Sequence, residues 1–252
     1  MAFMIDVAER RACPADEWEA RRRLARLYRI ADTMGLSDLI YNHISLRVPG
    51  RDGELLLNPF GTLYRTVTAS SLVRIDHQGN VLDGSGSRVN RAGVVIHAAV
   101  HAARPEVDCV LHAHSVAGMA VAAQRDGLLP ITQHAMMFHG RIGYHDYQSF
   151  ATADAERELI ARDLGPHDIL ILRNHGTLVC GRSVAECLHN AWHLERACQA
   201  QVRAQAGAIH MPDPAVMAQT SARMHAIPLE YFELFWEACL DLLPARGADC
   251  DA

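Results

Sequence analysis

Two histidines separated by a single residue end a strand-like run in this sequence. His112 and His114 follow Val107–Leu111 and precede a helix-like segment rich in alanine and valine. Alternate residues of a strand point to the same face of a sheet, so the two imidazoles can bind one metal ion. Two histidines that only form hydrogen bonds at a strand end would have the same spacing. The pair alone therefore does not establish a metal site.

A third histidine lies at the end of another apolar run. His175 comes shortly after Ile169–Leu172 and is followed by Gly176, which indicates a tight turn or a close backbone approach. Such a turn can direct His175 toward the first pair. Three neutral histidines leave an ion with its full double charge and at least one open position, as a catalytic site requires. The sequence thus predicts one divalent metal ion per chain, with zinc, manganese, iron and cobalt as candidates.

The elements that must position these histidines can be predicted from apolar periodicity. Apolar residues at helical spacing predict a first helix from Asp16 to Met34, and alternation predicts strands at His43–Val48 and Glu54–Leu57. Further strands are predicted at Ser71–Ile75, Val81–Leu82, Val107–His112, Ile169–Leu172 and Thr177–Cys180, and further helices at Arg91–Ala103, Ser115–Arg125, Asp154–Leu164, Ser183 to about Gly207 and Leu229–Leu243. The pattern indicates one α/β domain over residues 1–252, with a mixed or antiparallel sheet flanked by helices.

Composition and charge exclude several classes of protein. The formal net charge of −5 argues against a nucleic-acid binder, and the run Arg21–Arg23 continues at helical spacing as a solvated helix face. No apolar run approaches the roughly 18–20 residues that a membrane helix needs. Residues 1–6 lack the features of a secretory signal. Seven scattered cysteines without a CxxC motif indicate a reducing compartment, so the expected location is the cytoplasm.

Several segments accompany the two histidine motifs, among them YNHISLR, LLLNPFG, VNRAGVVIH and ILRNHGTLVCG. Together they resemble the class II aldolase and adducin superfamily, over about residues 24–206. The resemblance implies a three-layer α/β/α sandwich with a mostly antiparallel sheet, followed here by a helical extension over about 212–243. It also implies a cyclic homotetramer and metal ligation by His112, His114 and His175. Because the family includes aldolases, an epimerase, a dehydratase, decarboxylases and metal-free cytoskeletal relatives, it does not settle the reaction.

One departure from the family pattern concerns catalysis. Sugar-phosphate aldolases of the family carry two serines and then an acidic catalytic residue, four positions before the histidine that matches His97. Here the acidic position is Gly93, and Arg91 and Ala92 replace the serines. Gly93 is expected to free volume beside the metal for a ring-shaped substrate. Arg91 can pair with a substrate carboxylate, although an exposed helix arginine or a subunit salt bridge explains it equally well.

Further candidate site residues follow from the same resemblance. Asn42 and His43 lie where the family's substrate-anion loop would run and are predicted to bind substrate. With no acidic residue at position 93, the proton donor must be another group. His134, His139 and Tyr144 are the candidates, together with a metal-bound water, although each side chain is also typical of packing or of an interface.

These features predict a divalent-metal-dependent carbon–carbon lyase, of the decarboxylase or aldolase type. It would act through a metal-stabilised enolate on a small hydroxy-oxo or hydroxy-aromatic carboxylated substrate. Three alternatives stay open: a sugar-phosphate aldolase, epimerase or dehydratase; an iron-dependent oxygenase that uses the same histidines; and a non-catalytic, adducin-like assembly module. An interaction module would have no need to retain all three histidines, which favours an enzyme.

Overall fold

The computed structural model describes residues 13–148 and 154–251, and the strands within them form one sheet. They are β1 (His43–Arg47), β2 (Glu54–Leu57), β3 (Val73–Asp76), β4 (Cys109–Ala113), β5 (Ile142–His145), β6 (Ile169–Leu172) and β7 (Gly176–Gly181). Their order in the sheet is β3-β2-β1-β4-β7-β6-β5. Only the β5–β6 pair among these strands is parallel. The prediction of a mostly antiparallel sheet is confirmed.

Helices cover both faces of the sheet. They are α1 (Ala15–Thr33), α2 (Arg91–Ala103), α3 (Val116–Ala122), α4 (Gln133–Met136), α5 (Asp154–Leu164), α6 (Val184–Ala204), α7 (Pro214–His225) and α8 (Leu229–Leu240), with short 3-10 turns at Tyr64–Thr66, Ala69–Ser71 and Pro244–Asp251. Apolar residues of α1, α3, α6 and α8 share one core, and those of α2 and α5 share a second. This is the predicted three-layer α/β/α arrangement.

The alternation along β4 assigns its residues to the two cores. Cys109, Leu111 and Ala113 face the core of α1, α3, α6 and α8, whereas Val110 faces that of α2 and α5. Because side chains alternate along a strand, His112 shares the face of Val110. The imidazole therefore projects toward α2 and α5 rather than into the larger core.

Most helices and strands lie within a few residues of their predicted bounds, and three differences stand out. The strand β5 was not predicted, since Ile142–His145 is short and contains a glycine and a histidine. The short helix α4, which Thr132 caps, was not predicted either. The predicted strand Val81–Leu82 is reduced to one bridge, between Ile75 and Val81.

Strand direction brings several chain segments to one edge of the sheet. The antiparallel pairings make β2, β4 and β6 run the same way, and β5 is parallel to β6. The carboxyl ends of these four strands therefore meet the amino ends of β1 and β7 at a common edge. This edge contains His43 at the start of β1 and the residues that follow β4, β5 and β6.

The hydroxyl group of Tyr28 separates β1 from β2 at this edge. The register that pairs Leu46 with Leu56 would place Ile44 opposite Asn58. Instead, the Tyr28 oxygen accepts hydrogen bonds from the backbone N–H groups of Ile44 (2.8 Å) and Asn58 (3.1 Å) and lies 2.5 Å from the Ile44 carbonyl oxygen. The two strands diverge beyond this point, which opens space between His43 and Phe60.

The C-terminal helices pack onto the layer that contains α1. Phe232 and Trp236 of α8 are buried in the same core as Leu24 and Leu194. Within the described part of the chain, no helix has the length and apolar character that crossing a membrane requires.

We expect Tyr28→Phe to lower the free energy of unfolding by about 1–3 kcal/mol, because it leaves buried backbone groups of Ile44 and Asn58 without a partner. Urea denaturation measures the change. The control is Tyr231→Phe, since Tyr231 is half exposed, and it should alter stability by less than about 0.5 kcal/mol. Equal stabilities of the two variants would contradict this role for the Tyr28 hydroxyl.

Candidate metal centre

The three predicted histidines converge on one point. The Nε2 atoms of His112 and His114 are 2.8 Å apart, and those of His114 and His175 are 3.0 Å apart. One nitrogen from each ring falls within a sphere that a single ion can fill. The structure thus brings together the three histidines that the sequence singled out, although His175 lies 61 residues from His114 along the chain.

Hydrogen bonds at the opposite ring nitrogens orient two of these imidazoles. His112 Nδ1 lies 3.0 Å from the carbonyl oxygen of Thr177, which can only accept a hydrogen bond. His114 Nδ1 lies 3.0 Å from a carboxylate oxygen of Asp38. Both contacts place the proton on Nδ1 and leave the Nε2 lone pair directed at the common point. This is the usual arrangement around metal-binding histidines, and the donor set fits a divalent ion.

A left-handed residue and a glycine direct His175 to the same point. Asn174 has a φ of 58°, a conformation that asparagine tolerates better than most residues. A Cβ atom on Gly176 would lie 2.5 Å from the carbonyl oxygen of Ala113, so only glycine allows β7 to approach β4 this closely. The close approach that was predicted at Gly176 is therefore confirmed.

Burial keeps two of the three ligands neutral. It lowers the pKa of His112 well below 6.5, with a further contribution from His43 and the other two histidines of the triad. Burial also lowers the pKa of His175 to about 4, assisted by His114 and His145. Metal ions bind the unprotonated imidazole, so these two rings need not lose a proton at neutral pH.

The triad opens on a cavity of about 500 Å³. Much of its wall is apolar, and the acidic side chains of Asp38 and Glu156 also border it. The apolar part is formed by Phe60, Ile96, Met119, Ile160 and Leu172. No arginine lines the cavity in the described part of the chain, and the sequence contains no lysine. The cavity therefore offers an apolar surface beside a potential double positive charge.

A buried chain of hydrogen bonds determines the tautomer of His43. His101 Nδ1 lies 3.3 Å from the carbonyl oxygen of Val107 and must donate to it. His101 Nε2 then accepts from the Ser45 hydroxyl at 2.8 Å, and Ser45 accepts from His97 Nδ1 at 2.6 Å. His97 Nε2 in turn accepts from His43 Nδ1 at 2.8 Å. This direction holds for neutral rings, and burial lowers the pKa of each of the three histidines, that of His101 to about 3.

His43 is therefore a hydrogen-bond acceptor beside the triad. Its Nδ1 is committed to His97, so Nε2 is the ring nitrogen that remains for a ligand. The ring stacks on His112, with centroids 5.0 Å apart, and it lines the cavity. Its role in substrate binding stays a prediction. The part played by His97, Ser45 and His101 was not predicted, because the contacts join residues 52–56 positions apart.

The expectation that Gly93 frees volume for a substrate ring is wrong. A Cβ atom at Gly93 would lie 2.5 Å from both Cδ2 and Nε2 of His43. The space that the missing side chain vacates is thus filled by the His43 imidazole. Gly93 is needed for the position of His43, and the polar group beside the triad comes from β1 instead of α2.

Two other predicted substrate-binding residues do not line the cavity. Arg91 is exposed at the start of α2. Asn42 is buried, and its amide donates to the carbonyl oxygen of Leu36 at 2.7 Å, which connects two parts of the chain after α1. The neighbours of Asn42, Tyr41 and His43, border the cavity instead.

The three predicted proton donors also lie outside the cavity lining. The imidazole of His134 stacks on that of His193, with centroids 5.0 Å apart. The Tyr144 hydroxyl accepts from the backbone N–H of Leu128, and its ring packs under the guanidinium of Arg173. His139 follows α4, where its carbonyl oxygen accepts from Ser221. None of the three side chains lines the cavity of this chain, and their role as proton donors stays a prediction.

Comparison with known proteins identifies the family to which this fold belongs. A family model described as the class II aldolase and adducin N-terminal domain matches residues 22–202. The chain belongs to the class II aldolase and adducin family. It is 48% identical to a Caulobacter vibrioides protein with a provisional class 2 aldolase name, across 75% of this chain and 73% of that protein.

Two further relatives show the breadth of the family. Rat alpha-adducin is 46% identical across 75% of this chain, but the match covers only 26% of the adducin. The crystal structure of an aldolase II superfamily protein from Pseudomonas syringae superposes with a TM-score of 0.91 at 42% identity, covering 96% of this chain and 99% of that one. The resemblance inferred from the sequence motifs is confirmed, and so is the fold class.

Asp38 is a partner of His114 that the sequence did not reveal, since nothing in its spacing connects the two residues. We expect Asp38→Ala to weaken metal binding by about 10- to 100-fold, because His114 loses the group that orients it. Competition with a chromogenic chelator measures the affinity. Asp126→Ala is the control, as it removes the same charge from an exposed loop. An unchanged affinity in Asp38→Ala would refute the orienting role.

The close contact between Gly93 and His43 predicts an unusual direction for the change in stability on substitution by alanine. Glycine to alanine in a helix normally stabilises a protein by about 0.5–1 kcal/mol. We expect Gly93→Ala instead to destabilise it by about 1–3 kcal/mol, because the added methyl displaces the His43 ring. Thermal or urea unfolding measures the difference. Gly207→Ala is the control, since nothing lies within 4 Å of its Cβ position. A stabilised Gly93→Ala protein would rule out the predicted clash.

Proposed function

We propose that this protein is a divalent-metal-dependent carbon–carbon lyase of the aldolase or decarboxylase type. The observation that carries the proposal is the convergence of three Nε2 atoms from His112, His114 and His175. Three histidine ligands leave an open position for substrate, as catalytic sites need. When bound, the ion supplies a Lewis acid that stabilises negative charge developing on a substrate carbonyl oxygen.

The protein's own residues supply binding and orientation. Asp38 and the Thr177 carbonyl hold two ligands in the tautomer that presents Nε2. His43 Nε2 is positioned to accept a hydrogen bond from a substrate hydroxyl, because its other nitrogen is held by His97. The apolar wall limits water around the reacting carbon atoms, which strengthens electrostatic interactions there.

The cavity lining supports a particular class of substrate. Apolar side chains such as Ile96 and Leu172 suit the carbon skeleton of a hydroxy-aromatic or hydroxy-oxo compound. A substrate carboxylate would find no arginine in the described lining, so the ion is its natural partner. Cleavage of a sugar phosphate is a weaker proposal, because a dianionic phosphate would need cations that the described lining lacks.

A second candidate is a non-catalytic assembly module. The 46% identity to alpha-adducin favours it, since adducin relatives are as similar to this chain as proteins with an aldolase name. The complete and oriented histidine triad supports the enzyme instead. We also propose a cytoplasmic homotetramer, on family resemblance and on seven free cysteines, six of which are buried.

The first experiment is metal analysis of purified wild-type protein beside His114→Ala. We expect close to one divalent ion per chain in the wild type and almost none in the variant, because one of three ligands is lost. Circular dichroism and gel filtration verify that both proteins fold alike. The exposed His210→Ala is the matched control and should retain the metal.

The result decides between the two candidates. Metal that is lost only in His114→Ala would justify screening hydroxy-aromatic and hydroxy-oxo acids for cleavage by the loaded protein. Wild-type protein that takes up no metal, even after reconstitution, would exclude the lyase. The assembly module would then be the better explanation.

A further inference from the structure

We propose that His145, held between Asp163 and Glu156, is the catalytic residue that exchanges a proton with the substrate. This inference rests on the proposed lyase function and supplies the group that the glycine at position 93 leaves missing. His145 lies at the end of β5, a strand whose existence only the structure revealed.

One nitrogen of His145 is committed to Asp163. Its Nδ1 lies 2.8 Å from a carboxylate oxygen of Asp163, on α5. The carboxylate accepts from Nδ1, which leaves Nε2 as the nitrogen that can gain or release a proton. Asp163 is therefore a positioning residue, in the way that a carboxylate orients the histidine of a catalytic pair.

The other nitrogen is buried and open to a ligand. Nε2 of His145 has no hydrogen-bond partner among the described residues, and only 6% of the side chain is exposed. A carboxylate oxygen of Glu156 lies 3.8 Å from it, beyond hydrogen-bond distance. Buried polar atoms are rarely left without a partner, so this nitrogen calls for a functional explanation. A substrate hydroxyl has the size and polarity to donate the missing hydrogen bond to this nitrogen.

Strand direction places His145 beside the metal ligands. It pairs with Leu172 in the parallel β5–β6 ladder, three residues before His175. His145, Glu156 and the three histidines of the triad all line the same cavity. A substrate that fills this cavity can contact the ion and the His145 imidazole together.

Alternation along β5 explains why Tyr144 does not serve instead. Ile142 and Tyr144 pack against the larger core, on the face of α1 and α6. His145 therefore faces the opposite side, the face of Val110 and His112. Tyr144 and His145 thus point to different sides of the sheet, and of these two residues His145 is the one that lines the cavity.

The proposed step balances without a further reagent. In the cleavage of a hydroxy-oxo substrate, Nε2 takes the hydroxyl proton while that carbon–oxygen bond becomes a carbonyl and the adjacent carbon–carbon bond breaks. The electron pair of the broken bond passes into the enolate of the second fragment. The proton then moves from Nε2 to the enolate carbon, which regenerates the neutral imidazole. Glu156 stabilises the transient imidazolium.

Deuterium exchange tests the proton transfer without knowledge of the natural substrate. Metal-loaded protein is incubated in heavy water with dihydroxyacetone, a neutral chelating hydroxy-ketone, and loss of its carbon-bound protons is followed by NMR. We expect metal-dependent exchange by the wild type and a rate about 100- to 10,000-fold lower in His145→Asn. Metal content must equal that of the wild type, and the exposed His210→Asn should exchange at the wild-type rate.

Chemical rescue separates a catalytic role from a structural one. Millimolar imidazole should restore exchange in His145→Ala, where it can enter the vacated space. It should not raise the exchange rate of Glu156→Gln, which still contains His145. His145→Asn with metal bound and a wild-type exchange rate would overturn the proposal, as would a lack of rescue in folded, metal-loaded His145→Ala. Metal-loaded wild-type protein that exchanges nothing would instead overturn the enolate chemistry of the proposed function. The two failures are therefore distinguishable.

Discussion

The common direction of β2, β4, β5 and β6 is the constraint on which the site depends. β4 lies in the middle of the sheet and pairs with the antiparallel strands β1 and β7. This ladder holds His43 directly opposite His112 and places the turn that contains His175 beside His114. A change of direction in β4 or β6 would move at least one histidine of the triad to the far edge of the sheet. The backbone pairing, rather than side-chain contact, therefore sets the position of the triad.

The second physical requirement of the site is that its buried imidazoles are neutral. Many imidazoles share one face of the sheet, and protonation of several would place like charges a few ångströms apart in a medium of low polarity. Burial lowers the pKa of His43, His97, His101 and His112, so that this face carries little positive charge of its own. The carbonyl oxygen of Val107, at the end of the His43 chain, cannot take up a proton. The chain therefore fixes a tautomer and does not conduct protons.

The space beside Gly93 is filled by a side chain from another element of the fold, the His43 imidazole. In the family's sugar-phosphate aldolases an acidic side chain occupies the position of Gly93, whereas here an imidazole from β1 fills the corresponding space. Family membership thus explains the scaffold and the donor set, while the groups around the donors determine the chemistry.

The sequence by itself determined the fold class, the approximate positions of six of the seven described strands and the three histidines of the triad. Those features depend on local periodicity and on short motifs, such as the alternation before His112 and the glycine after His175. Only the tertiary structure decided which polar groups surround them. Asp38 contacts His114 across 76 residues, and the Gly93 space is filled by a ring 50 positions earlier in the chain. Arg91 and Tyr144 have suitable chemistry, but helix and strand geometry direct them away from the cavity. Residue type is local information, whereas the direction of a side chain depends on the partners that folding supplies.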